Sequence, residues 1–288
     1  MLNTLKKPEW LNKKVSLSAC RDTQVFLKSL NLNTVCQEAR CPNIGECFSQ
    51  KNATFLILGD TCTRNCSFCA VKKGLPLALD YNEAEKITFA VRKLGINYVV
   101  ITSVTRDDLN DGGSGLFAQV VLALRRKIAN IKIEVLVPDF KGQKEAVITV
   151  VEAGPLVLAH NLETVPRLYA KIRPQADYQR SLMLLQNAKI YGKIYSKSGL
   201  MLGLGESEDE VLKVLRDLRR VNCDFLNLGQ YLSPGLSNYQ VQEYVTPNKF
   251  GYFKEKAIEM GFLYVASAPY VRSSYLADEY FKNKGDSK

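Results

Sequence analysis

Six of the eight cysteines of this 288-residue chain fall between positions 36 and 69, in two trios. The second trio is Cys62-Thr63-Arg64-Asn65-Cys66-Ser67-Phe68-Cys69, a Cys-x3-Cys-x2-Cys spacing that directly follows a strand-like run ending at Gly59. Three thiolates on one tight loop can bind three corners of a four-iron, four-sulfur cube. The fourth iron then has no protein ligand. It is open to the amino and carboxylate groups of S-adenosylmethionine (SAM), whose sulfonium one electron can split to yield a carbon radical. The alternatives are a zinc site or buried thiols. Zinc normally takes four ligands, and His160 is the only histidine, so spacing and strand context favour the cluster. The first trio, Cys36-x4-Cys41-x5-Cys47, suits neither a zinc finger nor a redox pair. It reads as a second cluster, with a structural metal pinning the N-terminal segment as the alternative. Cys20 and Cys223 stand alone and read as packing residues.

Along the rest of the chain, short β-branched runs are repeatedly followed by helical patterns. Strands are expected at 53–59, 97–103, 131–137, 156–159, 193–203 and 225–231, and helices at 82–94, 116–129 and 208–219. Apolar strands alternating with helices call for a parallel sheet buried on both faces. Six such units with right-handed crossovers curl into a partial (β/α)6 barrel, an α/β fold with N- and C-terminal extensions. Residues 1–52 are then an extension carrying the first trio, 53–245 the barrel, and 246–288 a second extension. Chemistry in such folds gathers at the carboxyl ends of strands. Thr105-Arg106-Asp107-Asp108, His160-Asn161-Leu162-Glu163 and Gly205-Glu206 are expected there. Asp107, Asp108 and Asp111 could form a carboxylate site but read more simply as a capped loop ending in Gly112-Gly113. Gly203-x-Gly205 is not a dinucleotide fingerprint, because position 208 is glutamate; its glycines would let backbone approach adenine or a neighbouring helix. His160 reads as a packed or hydrogen-bonding residue.

Hydrophobic content of 46% and charged content of 24% are ordinary for a globular protein. The 39 basic against 29 acidic residues give a charge of +10. They are spread along the chain, and Lys13-Lys14 and Arg125-Arg126-Lys127 read as solvated faces. A docking surface for an acidic protein is favoured over a nucleic-acid site. The segment from Met1 to Pro8 has no signal-peptide core, and no stretch approaches the roughly 20 apolar residues of a membrane span. The expectation is a cytoplasmic protein in a reducing compartment, with no nucleic-acid or membrane partner.

Longer stretches carry a resemblance to the lipoyl synthase family of radical SAM enzymes over nearly the whole chain. They are Thr34-Val35-Cys36-Gln37-Glu38-Ala39-Arg40-Cys41-Pro42-Asn43 through Cys47, Gly59 to Cys66, Ile101 to Leu109, His160 to Val165, Lys197 to Glu206, Gly229-Gln230-Tyr231-Leu232 and Arg272-Ser273-Ser274-Tyr275. The first trio together with the final tetrapeptide separates this family from other radical SAM enzymes. The departures are Phe48 for a usual tryptophan, Asn238-Tyr239 for a commoner His-Leu pair, Ala268 for a usual glycine and Leu276 for a frequent histidine.

The resemblance implies a sulfurtransferase that holds two four-iron clusters and uses SAM. Cys62, Cys66 and Cys69 would hold the SAM-binding cluster. Cys36, Cys41 and Cys47 would hold an auxiliary cluster whose fourth ligand is Ser274, with Ser273 as the alternative. An alkoxide is a harder ligand than a thiolate and matches iron–sulfur chemistry less well, which suits a cluster that is taken apart. SAM contacts carry over to Ser103, Asn161, Glu163 and Arg173, with a helix cap as the alternative role for Asn161 and a surface ion pair for Arg173. The implied reaction places sulfur on the sixth and eighth carbons of an octanoyl group amide-linked to a lysine. Two SAM are used and the auxiliary cluster is consumed. The implied partners are lipoyl domains, a glycine-cleavage H-type carrier protein, a ferredoxin or flavodoxin reductant and iron–sulfur carrier proteins.

Overall fold

The computed structural model describes residues 5–12, 20–275 and 277–282; Leu276 and the Lys13-Lys14 run lie outside the described residues. Strand β1 (Asn33–Thr34) pairs antiparallel with β2 (Thr54–Ile57). Strands β3 (Thr61–Cys62) and β4 (Lys72–Lys73) make a separate small ribbon. The main sheet continues from β2 through β5 (Tyr98–Ser103), β6 (Lys132–Leu136), β7 (Val157–Ala159), β8 (Tyr195–Leu202), β9 (Phe225–Gln230) and β10 (Tyr264–Ser267), all parallel. Among the described residues β2 and β10 do not pair, so the barrel is open.

All six expected strands form, each ending within two residues of its expected limits. The sheet runs one strand further. The helix Pro247–Glu259 leads into β10, which lies parallel on β9. The segment assigned to a C-terminal extension therefore begins with a seventh β/α unit. β10 is hard to read because it is short and mostly half-buried, without the continuous apolar run of a central strand. The helices start where their caps place them. Ser207 and Glu210 close a capping box on the helix Glu208–Arg220. Thr246 caps the helix that opens with Pro247. Among the described residues no helix is long and apolar enough to cross a membrane.

Side chains alternate across the strands with period two. Val99, Ile101, Ile133, Val135 and Leu158 face outward and pack on Val91, Phe117, Val120 and Val150 of the helices. Leu226 and Leu228 pack on Val214, Leu215, Phe250 and Phe253. Each such side chain, fully buried, contributes roughly 1.5–3 kcal/mol. The other face looks into the barrel. There Val100, Val157 and Phe225 meet Ala277 and Tyr280, so residues beyond β10 return to plug the barrel interior. That face also carries Thr54, Glu134, Lys197, Gly199, Asn227 and Gly229, in register with the apolar ones.

Gly229 lets the returning segment lie against β9, because a Cβ there would stand 2.1 Å from the Val271 carbonyl oxygen. Gly229→Ala is expected to cost about 1–3 kcal/mol, as a fall in the denaturation midpoint. An unchanged midpoint would show that the segment can move aside freely.

Candidate active site

The loop Cys62–Cys69 leaves β3 and is held from three sides. Thr63 donates its N–H and its hydroxyl to the Thr105 carbonyl, both at 3.0 Å, and accepts from the Asp107 N–H. Arg64 reaches Asp107 at 2.7 Å and Asp139 at 2.6 Å. Ser67 donates to the Ile172 carbonyl and Asn65 to the Gln175 side chain. From the far side Asn238 donates to the Ser67 and Cys69 carbonyls, and the Tyr239 N–H to Ser67. Each aspartate after β5 thus has a separate task. Asp107 pairs with Arg64, Asp108 with Arg106, and Asp111 accepts from the Gly113 and Gly115 amides at a helix start. They form the capped loop expected from the sequence.

The first trio sits on two short helices, Val35–Glu38 and Ile44–Ser49, with Cys41 between them. Contacts to the C-terminal segment fix this region in place. Asn43 donates to the Tyr270 carbonyl at 2.8 Å, and Tyr275 donates to Glu46 at 2.8 Å. Thr54 on β2, beside Cys36, donates to the Ser274 hydroxyl at 2.7 Å. Ser273 is turned elsewhere and accepts from the Asn161 amide at 2.5 Å. Arg272 is half-buried where it feels both Cys41 and Glu163.

A cavity of about 680 Å³ joins these parts, within the roughly 300–1,000 Å³ of small-molecule sites. Cys36, Cys41, Cys47, Cys69, Ser273 and Ser274 line it together with Asn161 and Glu163. Cys62, Cys66, Ser103 and Arg173 are not in its wall, although the Cys66 thiol feels both Arg173 and Glu163. Asn161 is not a helix cap; its amide spans Glu163 and Ser273. Nor is Arg173 a surface ion pair. It is buried and donates to the Asn161 and Leu162 carbonyls. Glu163 holds a left-handed backbone with φ of 65°, a strain of about 1–3 kcal/mol of the kind found at functional sites. Burial pushes its carboxyl up, opposed by Arg173 and the Asn161 amide.

The donor set fits the clusters and SAM. Burial pushes the Cys36 thiol up to about 11 and the Cys69 thiol up to about 12, and it raises Cys66 as well. Positive charge from iron would be needed to ionise them. Among the described residues no three His, Cys, Asp or Glu draw together tightly enough for a single ion; thiolates of a cube each meet a different iron. Ser103 Oγ, Asn161 Oδ1 and Arg173 Nε are buried without a hydrogen-bond partner among the described residues, as polar atoms awaiting a ligand would be.

Several contributors escaped the sequence reading. Asn238 and Tyr239 hold the cysteine loop, and their only signal was departure from the commoner His-Leu pair. At Gly203 the close approach is to a strand side chain and a loop: a Cβ there would stand 2.3 Å from the Gln230 amide and from the Glu243 carbonyl. Glu206 accepts from the Gly203 and Leu204 amides. Cys20 and Cys223 are buried away from the cavity.

His160 is buried, with Nδ1 2.8 Å from the Val137 carbonyl. Burial, helped by Arg173, lowers its pKa to about 4. A depressed folded pKa gives stability that is complete above the ordinary histidine value and lost as pH falls toward 4. The loss is about 3 kcal/mol. His160→Gln should flatten the stability profile between pH 6.5 and 4; equal slopes in denaturant titrations would refute this assignment.

A family model described as the radical SAM superfamily matches residues 56–218. Lipoyl synthase from Caldicellulosiruptor saccharolyticus is 56% identical over 276 residues, 95% of this chain and 97% of that protein. Lipoyl synthase from Alkaliphilus metalliredigens is 49% identical over the full length of both chains. The fold is shared with methylornithine synthase, at a TM-score of 0.58 and 15% identity, covering 89% of this chain and 83% of that one. It is also shared with the FeFe-hydrogenase maturase from Carboxydothermus hydrogenoformans, at 0.57 and 16%, covering 80% and 65%. With this identity over nearly its whole length, and with the whole first trio and Cys69 of the second facing one cavity, the chain belongs to the lipoyl synthase family of the radical SAM superfamily, whose cofactors are SAM and four-iron clusters including an auxiliary one.

Proposed function

We propose that this chain places two sulfur atoms on the sixth and eighth carbons of an octanoyl group carried on a lysine of lipoyl carrier proteins. The observation that carries this reading is the common cavity, where cysteines of both trios and the C-terminal serines face Asn161 and Glu163. Cys62, Cys66 and Cys69 would hold the SAM-binding cluster, and Cys36, Cys41, Cys47 and Ser274 the auxiliary one. Ser274 is preferred to Ser273 because Thr54 ties it to the Cys36 side, whereas Ser273 is engaged by Asn161. When bound, SAM and the clusters supply the electron, the carbon radical and the sulfur that a saturated chain requires.

The chain's own residues bind, orient and shield. Asn161 and Glu163 orient SAM from the end of β7, and Arg173 and Ser103 complete its buried surroundings. Asn238 and the Arg64–Asp139 pair keep the cysteine loop rigid. A saturated carbon offers no acidic proton and no electrophilic centre, so acid–base side chains have no role at the reacting atoms. The partners are lipoyl domains and an H-type carrier protein, a ferredoxin or flavodoxin, and iron–sulfur carriers, all meeting a basic surface in a cytoplasmic setting.

The test is a single turnover of anaerobically reconstituted protein with SAM, dithionite and an octanoyl-lysine peptide. Two sulfurs added to the peptide, with deoxyadenosine formed, are expected. Deoxyadenosine without sulfur transfer would overturn the substrate.

A further inference from the structure

Lys197 lies in the middle of β8 with its side chain fully buried, paired with an equally buried Glu134 on β6. Such a pair is often less stabilising than apolar side chains of similar size, so its presence in a barrel interior calls for another account. Its remaining bonds provide one. A lysine ammonium has three donors. Here they go to Glu134, to the Ser273 carbonyl at 2.6 Å and to the Tyr280 hydroxyl at 3.3 Å. The other Glu134 oxygen accepts from Tyr98 at 2.8 Å. On β9, Asn227 donates to the Arg272 carbonyl at 3.0 Å and to the Ser273 carbonyl at 3.1 Å, and accepts from Tyr280 at 3.2 Å.

Two strand-borne side chains thus grip two successive carbonyls immediately before Ser274. That stretch is irregular backbone entering the barrel, where unpaired carbonyls would be costly. A serine oxygen is one atom beyond Cβ, so its position follows that of its backbone closely. It is also a harder donor than the thiolates of the trio, and needs accurate placement to serve beside them.

We propose that Lys197 and Asn227 are positioning residues that set Ser274 against the first cysteine trio as the fourth ligand of the auxiliary cluster. This rests on the reading of Ser274 as that ligand. Glu134 compensates the Lys197 charge, and Tyr98 and Tyr280 complete the network.

The test compares Lys197→Met/Glu134→Gln, which removes both charges together, with Ser274→Ala and wild type after anaerobic reconstitution. Iron per chain, Mössbauer and electron paramagnetic resonance spectra, and SAM cleavage are read. In the double variant the auxiliary cluster should lose its serine corner, giving a three-iron signal and about one iron fewer per chain. Its SAM cleavage should stay within about twofold of wild type, since the Cys62–Cys69 loop is held by other residues. Ser274→Ala should give the same three-iron signal. If Ser274→Ala keeps an intact four-iron auxiliary cluster, the ligand reading fails and the positioning role with it. If Ser274→Ala loses iron while the double variant does not, the positioning proposal alone is overturned. Should the double variant not fold, Asn227→Leu, with folding judged by circular dichroism, carries the same comparison. Collapse of both variants would assign the network to stability alone and likewise overturn the proposal.

Discussion

Replacing Cys41 by alanine is expected to stop sulfur transfer to an octanoyl-lysine peptide while deoxyadenosine continues to form. Cys41 is the trio member best suited to this test. It lies between the two short helices and is half-exposed, whereas Cys36 is part of the hydrophobic core. Its loss therefore removes a proposed ligand without opening a cavity. Product formation should fall by at least about a hundredfold, more than the loss of an outer-shell partner typically causes. Cys66→Ala, in the other loop, should stop deoxyadenosine and sulfur transfer together. The difference between the two variants separates the radical-forming site from the sulfur-giving one. Loss of deoxyadenosine in Cys41→Ala would mean that the sites are not independent.

The second large effect concerns Asp139. Its carboxylate is fully buried between Arg64 and Arg180, at 2.6 and 2.7 Å, and Arg64 is itself part of the Cys62–Cys69 loop. Asp139→Ala leaves the buried Arg64 with only Asp107, at the edge of the site. Breaking a buried pair in this way costs about 3–5 kcal/mol, a fall in melting temperature on the order of 10 °C. The iron of the SAM-binding cluster should be lost first on heating. Arg64 and its companions hold the Asp139 carboxyl well below the usual carboxylate range, against the burial that would raise it. A depressed folded pKa gives stability that is full above the ordinary aspartate value and lost only as pH falls through the folded one. The Asp139 contribution should therefore be flat from pH 5 to 8 and vanish only in strong acid. A wild-type-like melting temperature in Asp139→Ala would show that the loop is held by its backbone bonds.

The parts of this molecule legible in the sequence were those governed by local rules. The strand at 98–103 is an apolar, β-branched run and that at 225–230 opens on Phe225 and Leu226, and the Ser207 and Glu210 pair marks a helix start by its spacing alone. Cys62, Cys66 and Cys69 were readable because one loop must present all three. The interior of the barrel was not. Glu134 and Lys197 each interrupt an apolar strand with a charge, which in isolation looks like an edge or a solvent face. Their meaning depends on partners 63 residues apart in sequence. β10 was missed for a related reason, since four mostly half-buried residues gain their strand character from β9 and carry little of their own. Ser273 and Ser274 could not be told apart in the sequence; Thr54 and Asn161, far from both, distinguish their surroundings.

The cavity wall that joins Cys36 to Ser274 also has a consequence in time. Chains emerge from the ribosome N-terminus first and fold largely in that order. The loop of Cys62, Cys66 and Cys69 finds Thr105, Asp107, Asp139 and Gln175 well before synthesis reaches residue 272. The first trio, made earliest, must wait for Tyr270, Ser274 and Tyr275, made among the last. A nascent chain thus has its Cys62–Cys69 loop held before the first trio has met its last partners, so completion of the region around the first trio reports that the molecule has been finished.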